Sequence, residues 1–495
     1  MRGICGLMMG LVVGCGTSKD DPSDTATDGS ITTIVSTTTT AGTTTGETTS
    51  TGTTTGTGTT TGTTTGSGST VTTTTGTSTA TGTGTTAGTT TTTGTTAGTA
   101  TGTTSTPVTS TGTTATTVTT TTDTTSTTAP GVAGSNRIVA YFVEWGIYAR
   151  DYQVADIPAS QITHINYAFV DLTAAGECAI YDEWAALGAA GGTFAQIREL
   201  RLSYPDLKVL MSVGGWTLST HFPAAASTPE SRTAMVESCV DFMLTHGFDG
   251  IDIDWEYPVG GGLTPGTPED TVNYTLLMAE FREALDALGE GHLLTIASPA
   301  GPTTVGYLDL PGLEASLDWF NIMTYDMHGT WEDTTNFQAP LYPSSSSPSA
   351  DEALMNVDAA VQTYLEAGVP SDKIVMGVPF YGRAWSGVPD VDGGLYQPGG
   401  GSAPGTWEVG VYDYAHLVEL MADPSWVRTL HPETMVPWLY NATEGVFVTY
   451  DDPESLGHKL DYLETYGLGG VMFWELSADT DDHELLDVLH ERLGD

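Results

Sequence analysis

The feature that most constrains the fold is a regular alternation of strand-like and helix-like runs that begins after Ser135. Short runs rich in β-branched and aromatic residues alternate with longer amphipathic stretches, a pattern typical of parallel strands joined by crossover helices. Eight such strands close a TIM barrel, so the sequence predicts an α/β fold of the (β/α)8 type. The eight candidate strands are Arg137–Val143, His164–Val170, Lys208–Gly214, Gly250–Glu256, His292–Ser298, Asp318–Asp326, Lys373–Gly382 and Gly469–Leu476.

One connection is too long for this alternation. A connection between strand and helix normally takes only a few residues, whereas Ala384–Tyr450 is a long stretch rich in Gly, Pro, Trp and Tyr. We interpret residues 384–450 as a small α+β insertion between the seventh and eighth strands, on the loop face where barrel enzymes keep their active sites. The predicted catalytic domain spans residues 135–495, enough chain to bury a large core.

Two segments carry the signals of a helix start. Thr228-Pro229-Glu230 and Thr267-Pro268-Glu269 each place a capping threonine before a proline, with an acidic residue near the positive end of the helix dipole. The sequence therefore predicts helices that begin at Pro229 and at Pro268.

The first 15 residues have the character of an export signal. Arg2 precedes the apolar run Ile4–Val13, which is too short to span a bilayer, since a helix needs about 20 residues to do so. The following Gly14-Cys15 resembles the lipobox of bacterial lipoproteins, in which Cys15 is lipidated and becomes the new N-terminus. We predict an exported protein anchored at the cell surface or outer membrane through lipid on Cys15. An ordinary cleaved signal, which gives a secreted protein, is the alternative.

Residues 16–134 form a predicted linker. They consist mostly of Thr and Gly and offer too little apolar surface to offset the entropy of ordering, so we expect them to be disordered. A flexible coil of about a hundred residues has a mean end-to-end distance on the order of 50–60 Å. Such a tether lets an anchored domain reach an insoluble substrate.

The charge of the 495-residue chain is strongly acidic, with 14 Lys and Arg against 60 Asp and Glu and a formal net charge of −46. This balance argues against binding to nucleic acid phosphates or to anionic lipid. A neutral substrate, by contrast, needs no basic surface.

Two of the four cysteines, Cys178 and Cys239, lie in the predicted folded domain. They can pair in an oxidising compartment, but the sequence does not show whether they meet. No spacing of Cys and His residues predicts a metal site.

The fourth candidate strand carries the most informative motif, Asp249-Gly-Ile-Asp-Ile-Asp-Trp-Glu256. Because strand side chains alternate with a period of two, Asp252, Asp254 and Glu256 are expected on one face, with successive Cα atoms roughly 6.5–7 Å apart. The apolar residues between them would pack on the surrounding helices. The three carboxylates are therefore expected to point into the barrel.

A chemical role explains this motif better than a structural role. Burying three like charges costs free energy, and a purely structural strand would carry Val or Ile. Crowded carboxyl groups cannot all ionise, so at least one pKa rises, as a general acid requires to stay protonated. We predict Glu256 as the proton donor to a leaving oxygen, Asp254 as the group that touches the reacting part of the substrate, and Asp252 as the group that holds Asp254.

This motif resembles the Asp-x-x-Asp-x-Asp-x-Glu signature of glycoside hydrolase family 18, the chitinase family with a TIM barrel. The resemblance covers essentially Arg137 to the C-terminus, and no catalytic position departs from the family pattern. Further motifs appear in the expected order: Tyr141-Phe142 with Trp145, Ser212-Val213-Gly214-Gly215-Trp216, Met323-Thr324-Tyr325-Asp326, Val378–Arg383 and Val471–Glu475.

The resemblance implies retaining, substrate-assisted hydrolysis of β-1,4-linked N-acetylglucosamine polymers, that is, chitin or chito-oligosaccharides. Glu256 would protonate the glycosidic oxygen and later activate water, while the acetamido oxygen of the substrate attacks the anomeric carbon. Asp254 would orient the acetamide, Asp252 would share a proton with Asp254, and Tyr325 would hydrogen-bond the acetamide. No metal, organic cofactor or obligate protein partner is implied. The expected substrate-binding residues are Tyr141, Trp145, Trp216, Met323, Asp326, Trp331, Arg383 and Trp474.

Three other functions remain to be weighed. An endo-β-N-acetylglucosaminidase acting on glycans or cell-wall material shares the carboxylate motif, but the insertion and the seventh-strand motif favour a chitinase. A non-catalytic chitin-binding lectin on the same fold lacks the acid equivalent to Glu256, which this chain retains. A surface adhesin would not need the complete catalytic set.

Overall fold

The computed structural model describes residues 136–188 and 191–494. The predicted signal peptide with Cys15 (residues 1–15) and the predicted linker (residues 16–134) lie outside the described residues, so both stay predictions. In the part of the chain that is described, no helix has the length and apolar character needed to cross a membrane.

The strands of the structure form two sheets, a closed barrel and a smaller antiparallel sheet. In chain order the strands are β1 (Arg137–Val143), β2 (His164–Leu172), β3 (Cys178–Ile180), β4 (Lys208–Gly214), β5 (Gly250–Asp254), β6 (Leu293–Pro299), β7 (Trp319–Met323), β8 (Ile374–Pro379), β9 (Tyr381–Trp385), β10 (Val411–Asp413), β11 (Trp426–Leu430), β12 (Pro437–Asn441), β13 (Val446–Thr449) and β14 (Gly470–Trp474).

The barrel consists of β1, β2, β4 to β8 and β14, all parallel, and it confirms the predicted (β/α)8 fold. The ring closes because β1 pairs with both β2 and β14. All eight candidate strands are present. The helices that accompany the two sheets are α1 (Glu183–Leu187), α2 (Gly192–Ser203), α3 (Phe222–Ala226), α4 (Pro229–His246), α5 (Asp270–Leu288), α6 (Pro302–Val305), α7 (Leu310–Glu314), α8 (Val357–Glu366), α9 (Tyr414–Met421), α10 (Pro453–Tyr466) and α11 (Glu484–Leu493).

The apolar face of the carboxylate strand packs outward, as its alternation predicts. Ile251, Ile253 and Trp255 are buried together with side chains from the surrounding helices. The Trp255 ring stacks on Phe222 at a centroid distance of 5.3 Å and meets the edge of Tyr274 at 5.2 Å. This packing fixes the direction of the strand, so Asp252 and Asp254 on its other face point into the barrel.

Several barrel strands end earlier than the sequence predicts. The ladder of β5 stops at Asp254 instead of Glu256, and that of β7 stops at Met323 instead of Asp326. At β5 the reason is visible, because the loop after β4 takes over the next backbone bond: the Gly215 amide donates to the Asp254 carbonyl at 2.8 Å. Glu256 and Asp326 are therefore held by loops, and not by the alternation of a strand.

The two predicted helix starts have different outcomes. Helix α4 begins at Pro229 with the Thr228 hydroxyl accepting a hydrogen bond at its N-terminus, as predicted. Helix α5 begins at Asp270, two residues after the predicted start at Pro268. The Asp270 carboxylate accepts hydrogen bonds from the amides of Thr267 and Val259, at 2.8 and 3.2 Å, and these bonds hold the preceding segment as a turn.

The predicted insertion is an antiparallel sheet in the order β10-β9-β13-β12-β11, followed along the chain by α10 and β14. The seventh candidate strand, Lys373–Gly382, is in fact two strands, because pairing in the barrel ends at Pro379 and β9 of the insertion begins at Tyr381. β9 pairs with β10 and β13. Arg383 is therefore carried by the insertion and not by a barrel strand.

A disulfide bond joins Cys178 to Cys239, with the two Cα atoms 4.9 Å apart. It answers the question that the sequence left open. Cys178 lies on β3, which pairs antiparallel with the end of β2, and Cys239 lies on α4. The bond therefore ties this edge of the barrel sheet to a surrounding helix.

Candidate active site

The predicted catalytic carboxylates lie at the C-terminal end of β5, where barrel enzymes place their reacting groups. Asp252 is 0% exposed and Asp254 is 4% exposed, while Glu256 follows two residues beyond the strand and is partly accessible. The three side chains thus rise from the barrel interior toward its mouth.

Asp252 is held by hydrogen bonds from four other strands. Its Oδ2 accepts from the hydroxyls of Tyr141 and Ser212, both at 2.8 Å. Its Oδ1 accepts from the Thr295 hydroxyl at 2.6 Å and from the Asn321 amide at 3.1 Å. Burial raises the pKa of Asp252, and these four bonds oppose the rise by favouring the charged form. The Asp252 carboxyl group is therefore fixed in position, because each of its oxygens accepts two hydrogen bonds.

Tyr141 supports this carboxylate from a buried position, with an exposure of 1%. The sequence marked it as a substrate-binding residue, whereas its hydroxyl donates to Asp252. Ser212 begins one of the family motifs but was given no role there, and Thr295 and Asn321 were not identified from the sequence. A signal for two of them existed, because Ser212 and Thr295 lie in register with Asp252 on the adjacent strands and so occupy the same layer of the barrel.

Asp254 has the opposite environment. Its Oδ1 is buried and has no hydrogen-bond partner among the described residues. Burial is the main cause that raises the pKa of Asp254, and the negative charges of Glu256 and Asp252 raise it further. The protonated form of Asp254 is therefore strongly favoured until a group with complementary charge or a hydrogen-bond donor arrives.

Glu256 combines burial with access to the cleft. Burial raises the pKa of Glu256 to about 7, a hydrogen bond with Tyr257 acts in the opposite direction, and the charge of Asp326 raises it again. The Glu256 amide donates to the Ser219 hydroxyl at 2.8 Å. A carboxyl group with a pKa near neutrality can both give and take a proton at working pH. Neither Tyr257 nor Ser219 was identified from the sequence.

Aromatic side chains form one wall beside these carboxylates. The Trp474 ring lies 5.3 Å from Tyr141, 6.3 Å from Trp145 and 5.8 Å from Phe169, measured between centroids. Phe169 and Trp474 are nearly parallel, at 19°. The structure therefore brings the predicted binding residues Trp145 and Trp474 together and adds Phe169, which was not identified from the sequence.

Met323 is the last residue of β7, and Tyr325 lies two residues beyond it. Met323 is half-buried and packs on the side chains that fill the barrel interior. The Tyr325 hydroxyl donates to the Met472 sulfur at 3.6 Å, a weak contact that a stronger acceptor can replace. The charges of Asp254, Asp326 and Glu256, in addition to burial, raise the pKa of Tyr325, so it is a neutral donor near all three carboxyl groups.

A second polar cluster joins the loop after β7 to the insertion. Asp326 accepts from the Tyr381 hydroxyl at 2.8 Å and from the Arg383 guanidinium at 2.8 and 2.5 Å. The same guanidinium lies 5.4 Å from the centre of the Trp331 ring, which is 58% exposed. Trp216, after β4, is 47% exposed. Both tryptophans are exposed, and an exposed indole ring can stack on a sugar.

The arrangement is suited to acid–base chemistry on an uncharged, ring-shaped substrate. It combines a carboxyl group titrating near neutrality, a second carboxyl group without a partner, a neutral tyrosine and open tryptophan rings. Within residues 136–188 and 191–494, no group of three or more His, Cys, Asp or Glu side chains is arranged to hold a metal ion.

Comparison with known proteins identifies relatives of the whole barrel and its insertion. Residues 137–479 match the family model described as Glycosyl hydrolases family 18. The chain is 40% identical over 398 residues to chitinase A1 of Niallia circulans, an alignment that covers 70% of this chain and 57% of that protein. It thus spans little more than half the length of that relative.

Solved structures with the same fold include chitinase ChiA74 from Bacillus thuringiensis, with a TM-score of 0.69 and 38% identity over 72% of this chain and 70% of that one. A family 18 N-acetylglucosaminidase from Paenibacillus barengoltzii matches with a TM-score of 0.62 and 33% identity, over 72% of this chain and 99% of that one. Relatives with two different activities therefore share this architecture.

Proposed function

Because the chain belongs to glycosyl hydrolases family 18, we propose that it is a chitinase, which hydrolyses the β-1,4 bonds of N-acetylglucosamine polymers. The observation that carries the proposal is the contrast between Glu256, whose pKa is about 7, and Asp254, whose carboxyl oxygen is buried without a partner. The first group can protonate a leaving oxygen, and the second can receive a polar group of the substrate. The similarity to chitinase A1 supports the choice of polymer.

Glu256 acts first as the general acid. Its carboxyl proton passes to the glycosidic oxygen while the bond between that oxygen and the anomeric carbon breaks, and the leaving sugar departs as an alcohol. Glu256 is then a carboxylate, and it takes a proton from the water that attacks the anomeric carbon. The same group is thereby restored to its acidic form.

The nucleophile in this proposal belongs to the substrate. Ordinary retaining glycosidases use a second carboxylate, and family 18 is an exception in which the 2-acetamido oxygen attacks the anomeric carbon. Asp254 accepts a hydrogen bond from the acetamido N–H and stabilises the positive oxazolinium ion, while Tyr325 donates to the acetamido oxygen. The lack of a hydrogen-bond partner on Asp254 Oδ1 and the weak contact of Tyr325 with sulfur support these roles, because a substrate can bond to either group without displacing a strong hydrogen bond.

In this proposal the negative charge of Asp252 favours the protonated form of Asp254. A proton shared between Asp252 and Asp254 requires Asp252 to give up one of its present hydrogen bonds, since both its oxygens are occupied. Tyr141 acts through Asp252 and not on the sugar. Trp474 forms the floor under the reacting sugar, with Trp145, Trp216 and Trp331 as further stacking surfaces and Met323, Asp326 and Arg383 as flanking contacts.

The test is hydrolysis of β-1,4-linked N-acetylglucosamine oligomers by the full chain, with cellulose-derived glucose oligomers of equal length as the control. We expect turnover of the first and no turnover of the second, because glucose has no 2-acetamido group to act as nucleophile. The first-formed products should keep the β configuration when they are observed by NMR. Comparable turnover of both substrates would exclude the substrate-assisted mechanism.

The activity is expected to fall as the pH rises above about 7. Glu256 works in its protonated form, and burial places its pKa at about 7, so each further pH unit lowers the active fraction by about tenfold. Toward low pH, activity falls as the remaining carboxylate of the cluster is protonated, which gives a bell-shaped profile. The check is kcat/KM on a chito-oligosaccharide between about pH 4 and pH 9. Constant kcat/KM across the alkaline half of that range would contradict the assignment.

A second activity within the same chemistry is supported by the structural similarity to an N-acetylglucosaminidase. Cleavage by an N-acetylglucosaminidase that removes terminal sugars would yield the monosaccharide from the start of the reaction. A chitinase would give dimers and longer fragments first. The lengths of the earliest products therefore distinguish the two activities in the same assay.

Export and anchoring complete the proposal. The apolar run before Cys15 supports a signal peptide with a lipidated cysteine, and the Thr/Gly-rich residues 16–134 support a spacer. The bond between Cys178 and Cys239 fits an exported protein, because disulfides persist in oxidising compartments. The partner of the folded domain is then the insoluble polymer itself.

A further inference from the structure

A buried serine in the loop after β4 contacts the segment that carries the general acid. Ser219 begins the short 3-10 helix Ser219–His221 and is 1% exposed. Its hydroxyl oxygen accepts a hydrogen bond from the Glu256 amide at 2.8 Å. The same hydroxyl donates to the Gly215 carbonyl at 2.9 Å and lies 3.2 Å from the Asp254 carbonyl.

These contacts replace the sheet at the point where it ends. The ladder of β5 stops at Asp254, so no neighbouring strand fixes the main chain between Asp254 and Glu256. The Gly215 amide donates to the Asp254 carbonyl at 2.8 Å, and the Ser219 hydroxyl accepts from the Glu256 amide, two residues further along the chain. One loop thus holds the backbone on both sides of Trp255, directly before the residue that presents the Glu256 carboxyl group.

We propose that Ser219 is a positioning residue, which sets the place of the Glu256 carboxyl group relative to the glycosidic oxygen. This inference rests on the proposed function, since it concerns the proton that Glu256 gives to the leaving sugar. Ser219 itself does not touch the substrate. It acts through the Glu256 amide, which is partly buried and which a side chain without an oxygen would leave unpaired.

The expected effect depends on the leaving group. A sugar leaves as an alcohol and needs the proton of a well-placed acid, and a misplacement of about 1 Å can cost on the order of 100-fold in rate. A 2,4-dinitrophenolate leaves as a stable anion and needs no proton. A residue that merely stabilises the fold would affect both substrates equally, whereas a residue that positions the acid affects mainly the first.

The experiment compares kcat/KM of the Ser219→Ala full chain on chitotetraose and on the 2,4-dinitrophenyl glycoside of chitobiose. We expect a loss of about 10- to 100-fold on the tetramer and of about threefold or less on the aryl glycoside. The ratio of the two values, taken within one preparation, does not depend on how much of the protein is folded. The proposal therefore stays testable even if the variant is less stable.

Two further variants complete the design. Ser227→Ala, in the same connection, removes a serine hydroxyl that donates to the Ala224 carbonyl at 2.8 Å without contacting Glu256, and it should leave the ratio unchanged. Ser219→Thr keeps the hydroxyl and should return the ratio toward the wild-type value. Equal losses on both substrates, or no loss on either, would overturn the positioning role. Failure of the unsubstituted chain to cleave the tetramer would overturn the chitinase function instead.

Discussion

Replacing Glu256 with glutamine is expected to lower kcat/KM on chito-oligosaccharides by about 10³- to 10⁴-fold, the upper part of the range that a single acid–base group contributes. Glutamine is nearly the same size and keeps the contacts of the side chain, but it has no proton to give to the glycosidic oxygen. Because Glu256 also activates the water, both halves of the reaction lose the same group. The measurement is the initial rate of oligomer cleavage, with products separated by length.

For Glu256→Gln, a binding measurement distinguishes a loss of catalysis from a loss of substrate binding. The Glu256→Gln chain should still bind chitotetraose by calorimetry, because the rings of Trp474 and Trp331 are unchanged. Glu290→Gln makes the same chemical change at an exposed position, and we expect it to retain full activity. If Glu256→Gln kept more than about a tenth of the wild-type rate, Glu256 would not be the general acid.

Replacing Asp254 with asparagine is expected to lower kcat/KM by about 10²- to 10³-fold, the usual cost of removing one preorganised group that stabilises charge in a transition state. The positive oxazolinium ion would lose its nearest negative charge. Asparagine should also make the protein more stable above neutral pH. Burial and the neighbouring carboxylates raise the pKa of Asp254 in the folded state, so ionisation of this group weakens the fold as the pH rises.

The stability measurement is the Tm of both forms at pH values on either side of neutrality. The Tm difference in favour of Asp254→Asn should grow as the pH rises from about 4, the usual pKa of an aspartate in an unfolded chain, toward the raised pKa of the folded state, because in that range only the unfolded state releases the proton. A variant that loses Tm at every pH would indicate that Asp254 has a structural role. Activity equal to wild type would exclude its role at the reacting sugar.

Asp249→Asn is the matched control, because Asp249 belongs to the same sequence motif but lies at the other end of the strand. Its carboxylate is paired with Arg201 and accepts a hydrogen bond from the Val209 amide at 2.8 Å. We expect the reverse pattern, a lower Tm with nearly unchanged kcat for the folded fraction. The contrast would separate the structural first aspartate of the motif from Asp254.

The sequence by itself determined the architecture and the identity of the central residues. The bounds of β1 and β4 agree with the sequence candidates residue for residue, because a buried parallel strand is recognised from its own run of apolar residues. The inward direction of Asp252 and Asp254 followed from the apolar residues between them, which had to face the helices. Local periodicity carries this information, so no knowledge of distant contacts was needed.

Only the tertiary structure decided how the carboxylates are supported. The partners of Asp252, from Tyr141 to Asn321, lie on four different strands, at sequence separations between 40 and 111 residues. Ser212 and Thr295 reach Asp252 from the two paired strands, whereas Tyr141 and Asn321 reach it from strands that are not paired with β5. The pairing of Cys178 with Cys239 depends in the same way on the packing of α4 beside β3.

The position of Glu256 likewise could not be predicted from the sequence pattern. Alternation of side chains holds only while the ladder continues, and the ladder of β5 ends at Asp254 because the loop after β4 supplies the next hydrogen bonds. Those bonds join residues about 40 positions apart in the chain, such as Ser219 and Glu256. Local propensity specifies which residues form a strand, whereas the point at which the strand gives way to a functional loop is set by long-range hydrogen bonds that exist only in the folded barrel.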